Sequence, residues 1–437
     1  MAEKAAIKST SKSIWFRCPQ SDRCGGCQLL KLPYKAQIQK KQDWVTSLLS
    51  PFGPVHPIIG MDNPFHYRNK VHAVLATDRS GRPVSGVYTQ GTHRVVPVKH
   101  CLIENEQADR IIQSIVSLIP AFSWRIYNEY THRGLFRHIV VRVSDTTREI
   151  MVTLVVTSLE FPGQDAFVQQ LLQLHPEITT LVLNLNPRQT SAVLGTKEKI
   201  LFGPGFIEDI LLGKRFRISS RSFYQVNGRQ TEVLYRTAID LCQLSGTETL
   251  LDAYCGTGTI GICAADKVRR LIGVEVNRAA VDDAKMNAEA NHIENASFYT
   301  EDATPFMARL AQQKTIPDVV ILDPPRSGST PSFLSSLATL SPDRIVYVSC
   351  NPETLQRDLF TLTEKGYAAK AIIPVDMFPC TNHVETVVLL SHKKPDTTIS
   401  VKVEFGEGEG KGPLDKIAAR VENYKPKERV AYKMIKE

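Results

Sequence analysis

Short apolar runs alternate with helix-like stretches between residues 249 and 391. Runs of this length, rich in β-branched residues and bounded by turn residues, predict strands. The predicted strands are residues 249–254, 270–276, 296–300, 317–322, 344–349, 368–375 and 385–391. Because helix-like intervals separate the first five, the pattern predicts a doubly wound α/β fold. The last two runs follow each other closely, which indicates an antiparallel pair at the edge of the sheet.

A glycine-rich turn follows the first predicted strand. The segment Asp252-Ala-Tyr-Cys-Gly256-Thr-Gly258-Thr-Ile-Gly261 precedes a helix-like stretch, and Glu275 stands at the end of the next strand. A carboxylate about 20 residues beyond such a turn is placed to hydrogen-bond a ribose hydroxyl. The pair therefore favours a site for a nucleoside-bearing cofactor. A purely structural turn and a nicotinamide site are the competing interpretations.

Two further acids decide against both competitors. Asp302 follows the third predicted strand, where it can meet an adenine edge, and Asp323 ends the fourth strand beside two prolines that restrict the backbone. Together with Asp252 and Glu275, they stand at the carboxyl ends of successive strands. Open α/β sheets bind their ligands at these ends.

A cysteine ends the fifth predicted strand, in Ser349-Cys350-Asn351-Pro352. It follows the segment Asp323-Pro-Pro-Arg326 by one strand and one helix-like interval. A cysteine at the ligand-binding end of a sheet is a candidate nucleophile. The alternative is a buried structural thiol, since free cysteine is among the most buried residue types.

Five ordered motifs resemble those of the RNA uracil-5-methyltransferase family. They are Ser222-Phe-Tyr-Gln225-Val-Asn227, the glycine turn, Asp323-Pro-Pro-Arg326, Ser349-Cys-Asn-Pro352 and His383-Val-Glu385. The resemblance implies a Rossmann-like class I methyltransferase domain, S-adenosylmethionine as donor and carbon 5 of a uridine in RNA as acceptor. It also implies cofactor contacts at Gln225, Tyr254, Glu275, Asp302 and Asp323.

The same resemblance assigns the two catalytic residues, Cys350 and Glu385. Carbon 5 of uracil is a poor nucleophile, and thiolate addition at carbon 6 raises its electron density. After methyl transfer a base must remove the proton from carbon 5, which is the role implied for Glu385. We expect burial in an apolar strand to raise the pKa of Glu385. A surface carboxylate at a strand edge is the alternative for this residue.

Four cysteines near the start form a second constellation: Cys18, Cys24 and Cys27, followed at a distance by Cys101. Four thiolates suit either zinc or an iron-sulfur cluster, and spacing alone does not separate the two. The spacing resembles the 4Fe-4S site of the bacterial ribosomal-RNA members of the family. The remaining cysteines apart from Cys350 are expected to be structural: Cys242, Cys255, Cys263 and Cys380.

Composition agrees with a soluble enzyme. The 437 residues are 42% hydrophobic, and no apolar run reaches the length of a membrane span. Nine cysteines without a secretory leader favour reduced thiols in the cytoplasm over disulfides. The net charge of +8 is modest, but residues 1–50 hold nine Lys or Arg against three acids. This segment is therefore a candidate for contact with RNA phosphates.

The basic residues differ in what they predict. Lys4, Lys8 and Lys12 lie in a leader expected to be disordered, whereas Arg17, Arg23, Lys31 and Lys35 flank the cysteines and are better candidates for RNA contact. Tyr67, Arg68 and Lys70 combine an aromatic ring with charge, which suits single-stranded RNA. Ordinary surface chemistry explains that set equally well.

Four domains are predicted from these patterns. Residues 1–60 form an iron-sulfur and RNA-binding segment completed by Cys101; residues 61–215 form a central α+β domain with an antiparallel hairpin at 134–143 and 150–156. Residues 216–394 form the methyltransferase domain, and residues 395–437 a flexible or docking extension. Only 17 residues precede Cys18, too few for the small RNA-binding barrel of many relatives.

The combined interpretation is a cytoplasmic, monomeric enzyme that flips a uridine out of folded RNA. The resemblance of the cysteine spacing favours 23S ribosomal RNA as the substrate. Three alternatives remain: a transfer-RNA uracil methyltransferase, an RNA cytosine-5-methyltransferase, and a non-enzymatic iron-sulfur protein that binds RNA.

Overall fold

The computed structural model describes residues 18–89, 91–189, 192–313 and 316–392. In these residues the strands are β1 (Lys70–Thr77), β2 (Pro83–Tyr88), β3 (Val95–Pro97), β4 (Phe136–Val143), β5 (Ile150–Val156), β6 (Ile178–Leu185), β7 (Lys197–Phe202), β8 (Phe206–Leu211), β9 (Lys214–Ser219), β10 (Thr249–Ala253), β11 (Arg270–Glu275), β12 (Ala296–Thr300), β13 (Val319–Leu322), β14 (Arg344–Ser349), β15 (Tyr367–Val375) and β16 (Glu385–His392). They form two seven-stranded sheets and one two-stranded sheet.

The α-helices of the same residues are α1 (Ser21–Cys24), α2 (Tyr34–Leu49), α3 (Glu106–Leu118), α4 (Gln164–Leu174), α5 (Gly228–Leu241), α6 (Thr259–Ala264), α7 (Arg278–Ala290), α8 (Ala303–Gln312), α9 (Pro331–Leu340) and α10 (Pro352–Glu364). None of them is both long and apolar enough to cross a membrane. The predicted C-terminal extension, residues 395–437, lies outside the described residues.

The C-terminal sheet has the strand order β12-β11-β10-β13-β14-β16-β15. Its first five strands are parallel, and β16 pairs antiparallel with both β14 and β15. All seven predicted strands are present, with bounds shifted by at most two residues. The antiparallel edge is confirmed, although the final strand lies inside the sheet and β15 forms its edge.

Both faces of this sheet are covered by helices. Leu250, Ile321 and Val346 belong to a core that also contains residues of α5, α6 and α7. The neighbouring residues Leu251 and Val320 point the other way, into a core with α8, α9 and α10. Since successive side chains of a strand point to opposite faces, the continuous apolar runs of the sequence are what a doubly covered sheet requires.

The first segment shares the core of the C-terminal sheet. Val45 and Leu49 of α2 are fully buried in the core formed with α8, α9 and α10. Lys41 of the same helix forms a buried ion pair with Asp376, with 2.5 Å between Nζ and Oδ1. Residue Val55 then forms a parallel bridge with Ile372 of β15. Residues 18–60 therefore pack on the edge of the C-terminal sheet.

The central sheet has the order β3-β2-β1-β4-β5-β6-β7. Its predicted hairpin is confirmed: β4 and β5 pair antiparallel, with Val143 opposite Ile150. Helices α3 and α4 cover one face, where their apolar residues join those of β1, β4, β5 and β6. The hairpin β8–β9 packs against the C-terminal sheet, because Ile207, Leu211 and Phe216 lie in the core that this sheet forms with α5 and α6.

Candidate active site

The glycine turn after β10 has a left-handed backbone. Tyr254, Gly256 and Gly258 have φ angles of 64°, 54° and 78°. A Cβ atom at Gly258 would lie 3.0–3.1 Å from side-chain atoms of its neighbours, so close packing also requires glycine there. The carboxylate of Asp252, 1% exposed, accepts a hydrogen bond of 2.9 Å from the Gly261 amide and fixes the end of the turn. Asp252 thus supports the turn from inside.

Glu275 joins this turn to the neighbouring strand. Its two carboxylate oxygens accept hydrogen bonds from the amides of Gly256, at 3.2 Å, and Asn277, at 2.8 Å. The side chain remains partly exposed at the end of β11. Its position beside the turn is the one predicted for a ribose contact.

Three other predicted cofactor residues surround the same edge of the sheet. Asp302 is exposed at the N-terminus of α8, where its carboxylate accepts a hydrogen bond from the Thr304 amide. The ring of Tyr254 lies 5.2 Å from that of Phe333 and is half-buried. Gln225 precedes α5, which packs against β14 and β16, and its side chain is also half-buried. All three therefore stay accessible to a ligand.

Cys350 and Glu385 lie beside each other. The last pair of the β14–β16 ladder is Ser349 with Thr386, so the next position on each strand is Cys350 and Glu385. Glu385 is 4% exposed, and burial together with the charge of Asp323 raises its pKa to about 8. Burial and the charges of Glu385 and Asp323 raise the pKa of Cys350 to about 11. The predicted rise of the Glu385 pKa is confirmed.

Asp323 also faces this pair from the end of β13. Burial raises its pKa to about 7, although the residue is not fully enclosed. Asp323, Cys350 and Glu385 therefore lie within electrostatic reach of one another, at the ends of β13 and β14 and the start of β16. Since like charges disfavour each other's ionised form, the group holds few negative charges at neutral pH.

Sequence reasoning gave no role to Arg326 and His383, which complete the cluster. The positive charge of Arg326 lowers the pKa of both Cys350 and Glu385, opposing their burial. One guanidinium nitrogen, Nη2, lies 3.4 Å from Nε2 of His383. Arg326 ends the motif Asp323-Pro-Pro-Arg326 and His383 begins the motif His383-Val-Glu385, so their positions in these motifs could have identified them.

Helix α10 holds the loop that carries Arg326. The buried carboxylate of Asp358 accepts hydrogen bonds from the Ser329 amide, at 2.8 Å, and from the Tyr347 hydroxyl, at 2.7 Å. Thr354 donates to the carbonyl of Arg326 at 3.2 Å. A Cβ atom at Gly328 would lie 2.6 Å from the Asp358 carboxylate, which explains the glycine. The loop is thereby fixed beside Cys350 and Glu385.

The four cysteines of the first constellation are free thiols and partly exposed. Burial, together with the neighbouring thiols of Cys380, Cys24 and Cys18, raises the pKa of Cys27 to about 12. Burial also raises the pKa of Cys101, and the thiol of Cys27 contributes to this rise. The four thus lie within electrostatic reach of one another. As arranged, however, no group of three or more His, Cys, Asp or Glu side chains in the described ranges is placed to hold a metal ion.

The cysteine-bearing segment contacts the loop that leads to Glu385. The Leu29 amide donates to the Cys380 carbonyl at 2.9 Å, and Gln37 accepts from the Cys380 amide at 2.8 Å. The hydroxyl of Tyr67 donates to the Pro379 carbonyl at 3.0 Å. Because Tyr67 is only 5% exposed, the expectation that its ring stacks on RNA is wrong. Its role is to anchor this loop.

The other candidates for RNA contact differ in exposure. Arg23, Lys31 and Lys35 are exposed, although Lys31 pairs with Asp22 at 2.8 Å. Arg17 lies outside the described residues, as do Lys4, Lys8 and Lys12. The remaining predicted structural thiols, those of Cys242, Cys255, Cys263 and Cys380, are buried, as expected.

The sheet order, the glycine turn and the acidic edge define a class I, S-adenosylmethionine-dependent methyltransferase. Residues 33–393 match the tRNA (uracil-5-)-methyltransferase family. The chain belongs to this family, and it is an S-adenosylmethionine-dependent RNA methyltransferase of the uracil-5 type.

Similar proteins agree with this assignment. An uncharacterized RNA methyltransferase of Bacillus cereus (strain ATCC 10987 / NRS 248) is 40% identical over 379 residues, 86% of this chain and 82% of that protein. One from Halalkalibacterium halodurans is 40% identical over 392 residues, 89% and 85% of the two chains. The crystal structure of Pyrococcus abyssi tRNA (uracil-54, C5)-methyltransferase with S-adenosyl-L-homocysteine has a TM-score of 0.68 and 26% identity, covering 84% of this chain and 85% of that one.

Proposed function

We propose that the protein transfers a methyl group from S-adenosylmethionine to carbon 5 of a specific uridine in 23S ribosomal RNA, through a covalent adduct of Cys350 at carbon 6. The observation that carries this proposal is the adjacency of Cys350 and Glu385 at the end of β14 and the start of β16. A nucleophile and a base side by side are the two groups that the reaction needs.

Cys350 starts the reaction. Its thiolate adds to carbon 6 of the uracil ring, which breaks the double bond between carbons 5 and 6 and delocalises negative charge onto carbon 5 and the carbonyl oxygen at carbon 4. Carbon 5 then has the electron pair that forms the bond to the methyl group. Because burial raises the pKa of Cys350, the thiol must release its proton to solvent before it attacks, and Arg326 supplies a positive charge that favours this loss.

Glu385 ends the reaction. Once methylated, carbon 5 still carries its hydrogen, and the carboxylate removes this proton. The electron pair restores the double bond and expels the Cys350 thiolate from carbon 6. A base with a pKa of about 8 accepts a carbon-bound proton more readily than an ordinary glutamate does. Burial of Glu385 therefore suits this step.

The methyl donor fits the carboxyl ends of the strands in the C-terminal sheet, where Glu275, Asp302 and Asp323 lie. When bound, S-adenosylmethionine supplies an electrophilic methyl group. Glu275 would bind the ribose and Asp302 the adenine, whereas Tyr254 offers a ring face beside the turn. We assign Gln225 and Asp323 to the remaining part of the donor, since Gln225 precedes α5, which packs against β14 and β16, and Asp323 ends β13 within electrostatic reach of Cys350 and Glu385.

The donor set of the first constellation suits a 4Fe-4S cluster held by Cys18, Cys24, Cys27 and Cys101. All four are free thiols in mutual electrostatic reach, and the Gly26 amide donates to the Cys24 sulfur, as amides around cluster sulfurs do. The proposed methyl transfer needs no electron, so we assign the cluster a structural or RNA-shaping role.

The cysteine spacing supports 23S ribosomal RNA as the target, and we expect a cytoplasmic monomer. A transfer-RNA target is the second candidate, favoured by the name of the similar Pyrococcus abyssi enzyme. Both candidates share Cys350 and Glu385, so only the acceptor distinguishes them.

A covalent trap tests the proposal. The protein is incubated with S-adenosylmethionine and 5-fluorouridine-substituted transcripts of either 23S ribosomal RNA or transfer RNA, and a denaturing gel then detects adducts. Fluorine cannot leave as a proton does, so the thiolate stays bound to carbon 6. The matched variants are Cys350→Ala and Cys242→Ala, the latter at a buried cysteine at the end of α5.

We expect an adduct with 23S ribosomal RNA that Cys350→Ala abolishes and Cys242→Ala preserves. An adduct with transfer RNA alone would transfer the function to the second candidate. If neither RNA gives an adduct although the donor binds, either the cysteine mechanism or the class of RNA substrate is wrong. Methylcytidine in the product nucleosides would show a cytosine enzyme, and unchanged methyluridine in cells carrying Cys350→Ala would show a non-enzymatic protein.

The cluster has a separate test. Anaerobically purified protein should be brown and contain about four irons per chain, and Cys24→Ser should remove most of this iron. A colourless preparation that contains zinc would contradict the iron-sulfur assignment and leave the methyltransferase unaffected.

A further inference from the structure

The two faces of the central sheet differ in chemistry. One face carries Val71, Ala73 and Leu75 of β1 into the apolar core with α3 and α4. The opposite face carries basic residues, because the β1–β4 register pairs Lys70 with Arg142 and Val74 with His138. His72 shares this face, and its ring lies 4.9 Å from that of His138. Five strands, β1 to β5, contain no Asp or Glu.

Lys70 lacks a counter-ion on this face. It forms no ion pair or side-chain hydrogen bond with any other described residue, and it stays partly exposed. Burial and the charges of Arg142 and Arg68 lower its pKa to about 8. The acid on the rim, Glu104, faces Arg68. A half-buried lysine among like charges is stabilised by an anionic ligand.

Three rings continue this basic face towards solvent. Extending the β1–β2 register by two residues places Tyr88 opposite His72. The ring of Tyr88 lies 5.5 Å from that of His93, which lies 6.2 Å from that of Tyr130. Tyr130 is 76% exposed. A large exposed ring at the end of a ladder of rings is a stacking platform for an unpaired base.

The turn that carries Tyr130 is rigid. The Asn128 side chain accepts hydrogen bonds from the amides of Tyr130 and Thr131, both at 2.9 Å. Glu129 accepts from the guanidinium of Arg137 at 2.8 Å, which neutralises the acid of this turn. The exposed Arg133 ends it and leaves a net positive charge beside the ring. Holding the ring in place lowers the entropy cost of stacking.

The basic face reaches the active site at its other end. The amide of Asn69, next to Lys70, donates to the Val226 carbonyl at 2.8 Å, and Val226 adjoins Gln225. Arg142 donates to the carbonyls of Tyr224, at 3.3 Å, and Ser222, at 3.4 Å. The basic side chains thus begin at the cofactor-side segment before α5 and end at the exposed rings.

We propose that this face, the basic track formed by Lys70, His72, Tyr88, His93 and Tyr130, binds the single-stranded RNA that flanks the target uridine. Lys70 binds a phosphate near the active site, and Tyr130 stacks on an unpaired base farther along the strand. One cation followed by a series of rings fits a single strand, whose phosphates and bases are both accessible. The inference rests on the proposed RNA substrate and adds the surface that positions it.

RNA binding without methyl donor tests the track. Fluorescence anisotropy of labelled 23S ribosomal RNA fragments, titrated at several salt concentrations, compares the whole protein with Lys70→Gln, Tyr130→Ala and the control Lys285→Gln. Lys285 is exposed on α7, beside the β12 edge of the other sheet. Circular dichroism and donor binding confirm that each variant is folded.

We expect Lys70→Gln to weaken binding about fivefold at physiological salt and to reduce the slope of log affinity against log salt by about one. Tyr130→Ala should weaken binding roughly tenfold without changing that slope. Lys285→Gln should change neither. Affinities of Lys70→Gln and Tyr130→Ala equal to that of the control would overturn the track, as would equally tight binding of an RNA duplex.

Failure of the proposed function gives a different result. If 23S fragments bind through Lys70 and Tyr130 but are never methylated, the track stands and the target assignment falls. If methylation occurs while both variants bind as the control does, the function stands and the track falls.

Discussion

Cys350 and Glu385 occupy neighbouring positions where β14 ends and β16 begins, one step beyond the Ser349–Thr386 pair. Burial raises the pKa of both groups, and a negative charge on Glu385 or Asp323 raises that of Cys350 further, so this arrangement disfavours ionisation of the thiol at pH 7. In the proposed mechanism, Cys350 must therefore lose its proton before it attacks carbon 6. The antiparallel insertion of β16 is what brings the two residues together.

Replacing the base should trap the reaction after methyl transfer. In Glu385→Gln the proton on carbon 5 has no acceptor. We therefore expect the methylated Cys350 adduct to accumulate with RNA that contains ordinary uridine, and turnover to fall by about a factor of 10²–10⁴. Denaturing gels with S-adenosylmethionine labelled in the methyl group measure both. Cys350→Ala in the same background should remove the band, and a variant that turns over normally would exclude Glu385 as the base.

The same substitution should stabilise the protein in alkaline solution. The pKa of Glu385 is 4.5 in the unfolded chain and about 8 in the folded protein, so folding favours the protonated form. The folded protein therefore has its full stability from this group below pH 4.5. That stability is lost as the pH rises to about 8. We expect Glu385→Gln to exceed the wild type by about 2–4 kcal/mol at pH 9 and to lose this advantage near pH 5. Urea unfolding at both pH values measures the difference.

The exposed Glu353 provides the control for that experiment. Glu353→Gln lies in the first turn of α10, outside the catalytic pocket, and should change stability by a similar small amount at both pH values. A constant difference between Glu385→Gln and the wild type from pH 5 to 9 would contradict the raised pKa of Glu385.

Arg326 should set the pH dependence of methyl transfer. The charge of Arg326 lowers the pKa of Cys350 and Glu385. In the neutral Arg326→Met, the pH at which the single-turnover rate rises should therefore increase by about half a pH unit. The shift is small because the side chain of Arg326 is exposed. Arg326→Lys keeps the charge and should keep the profile. An unmoved profile in Arg326→Met would show that the charge has no effect on either group.

The buried pair of Lys41 and Asp376 should be strongly coupled. Its side chains are 1% and 0% exposed, so Lys41→Met leaves an unpaired buried carboxylate and should cost about 3–5 kcal/mol of the free energy of unfolding. Adding Asp376→Asn to Lys41→Met should recover at least half of the lost free energy of unfolding. Urea unfolding checks both values.

A surface pair supplies the control for Lys41. Lys31 and Asp22 are each 78% exposed, and Lys31→Met should cost less than about 1 kcal/mol. Equal effects of Lys31→Met and Lys41→Met would show that the buried pair is not needed to hold α2 on the sheet.

Most of the C-terminal unit could be predicted from the sequence because its information is local. Leu250 and Leu251 face opposite cores, and a strand buried on both faces must be apolar at every position. Turn residues mark where each strand stops, so the sites of Glu275, Asp323 and Cys350 followed from the strand ends. The position of β16 inside the sheet did not follow, since both orders of an antiparallel pair give the same pattern.

Contacts between distant segments could not be predicted in this way. Tyr67 has the composition of a surface recognition residue, yet its hydroxyl is used by the Pro379 carbonyl, 312 residues later. Lys41 is a charged residue on a helix, and only its pairing with Asp376 allows its burial. A local pattern carries no record of such partners. The basic face was likewise visible only after the register placed Lys70 opposite Arg142.

The contact of α2 with Asp376 has a consequence for synthesis. The two partners are 335 residues apart, and at about 5–20 residues per second the ribosome needs roughly 20 to 70 s to make the second after the first. Throughout this time the ammonium group of Lys41 lacks the carboxylate that permits its burial. Helix α2 is therefore made early but obtains the partner of Lys41 late, and a chain stopped before Asp376 lacks the ion pair that helps to hold α2 on the C-terminal sheet.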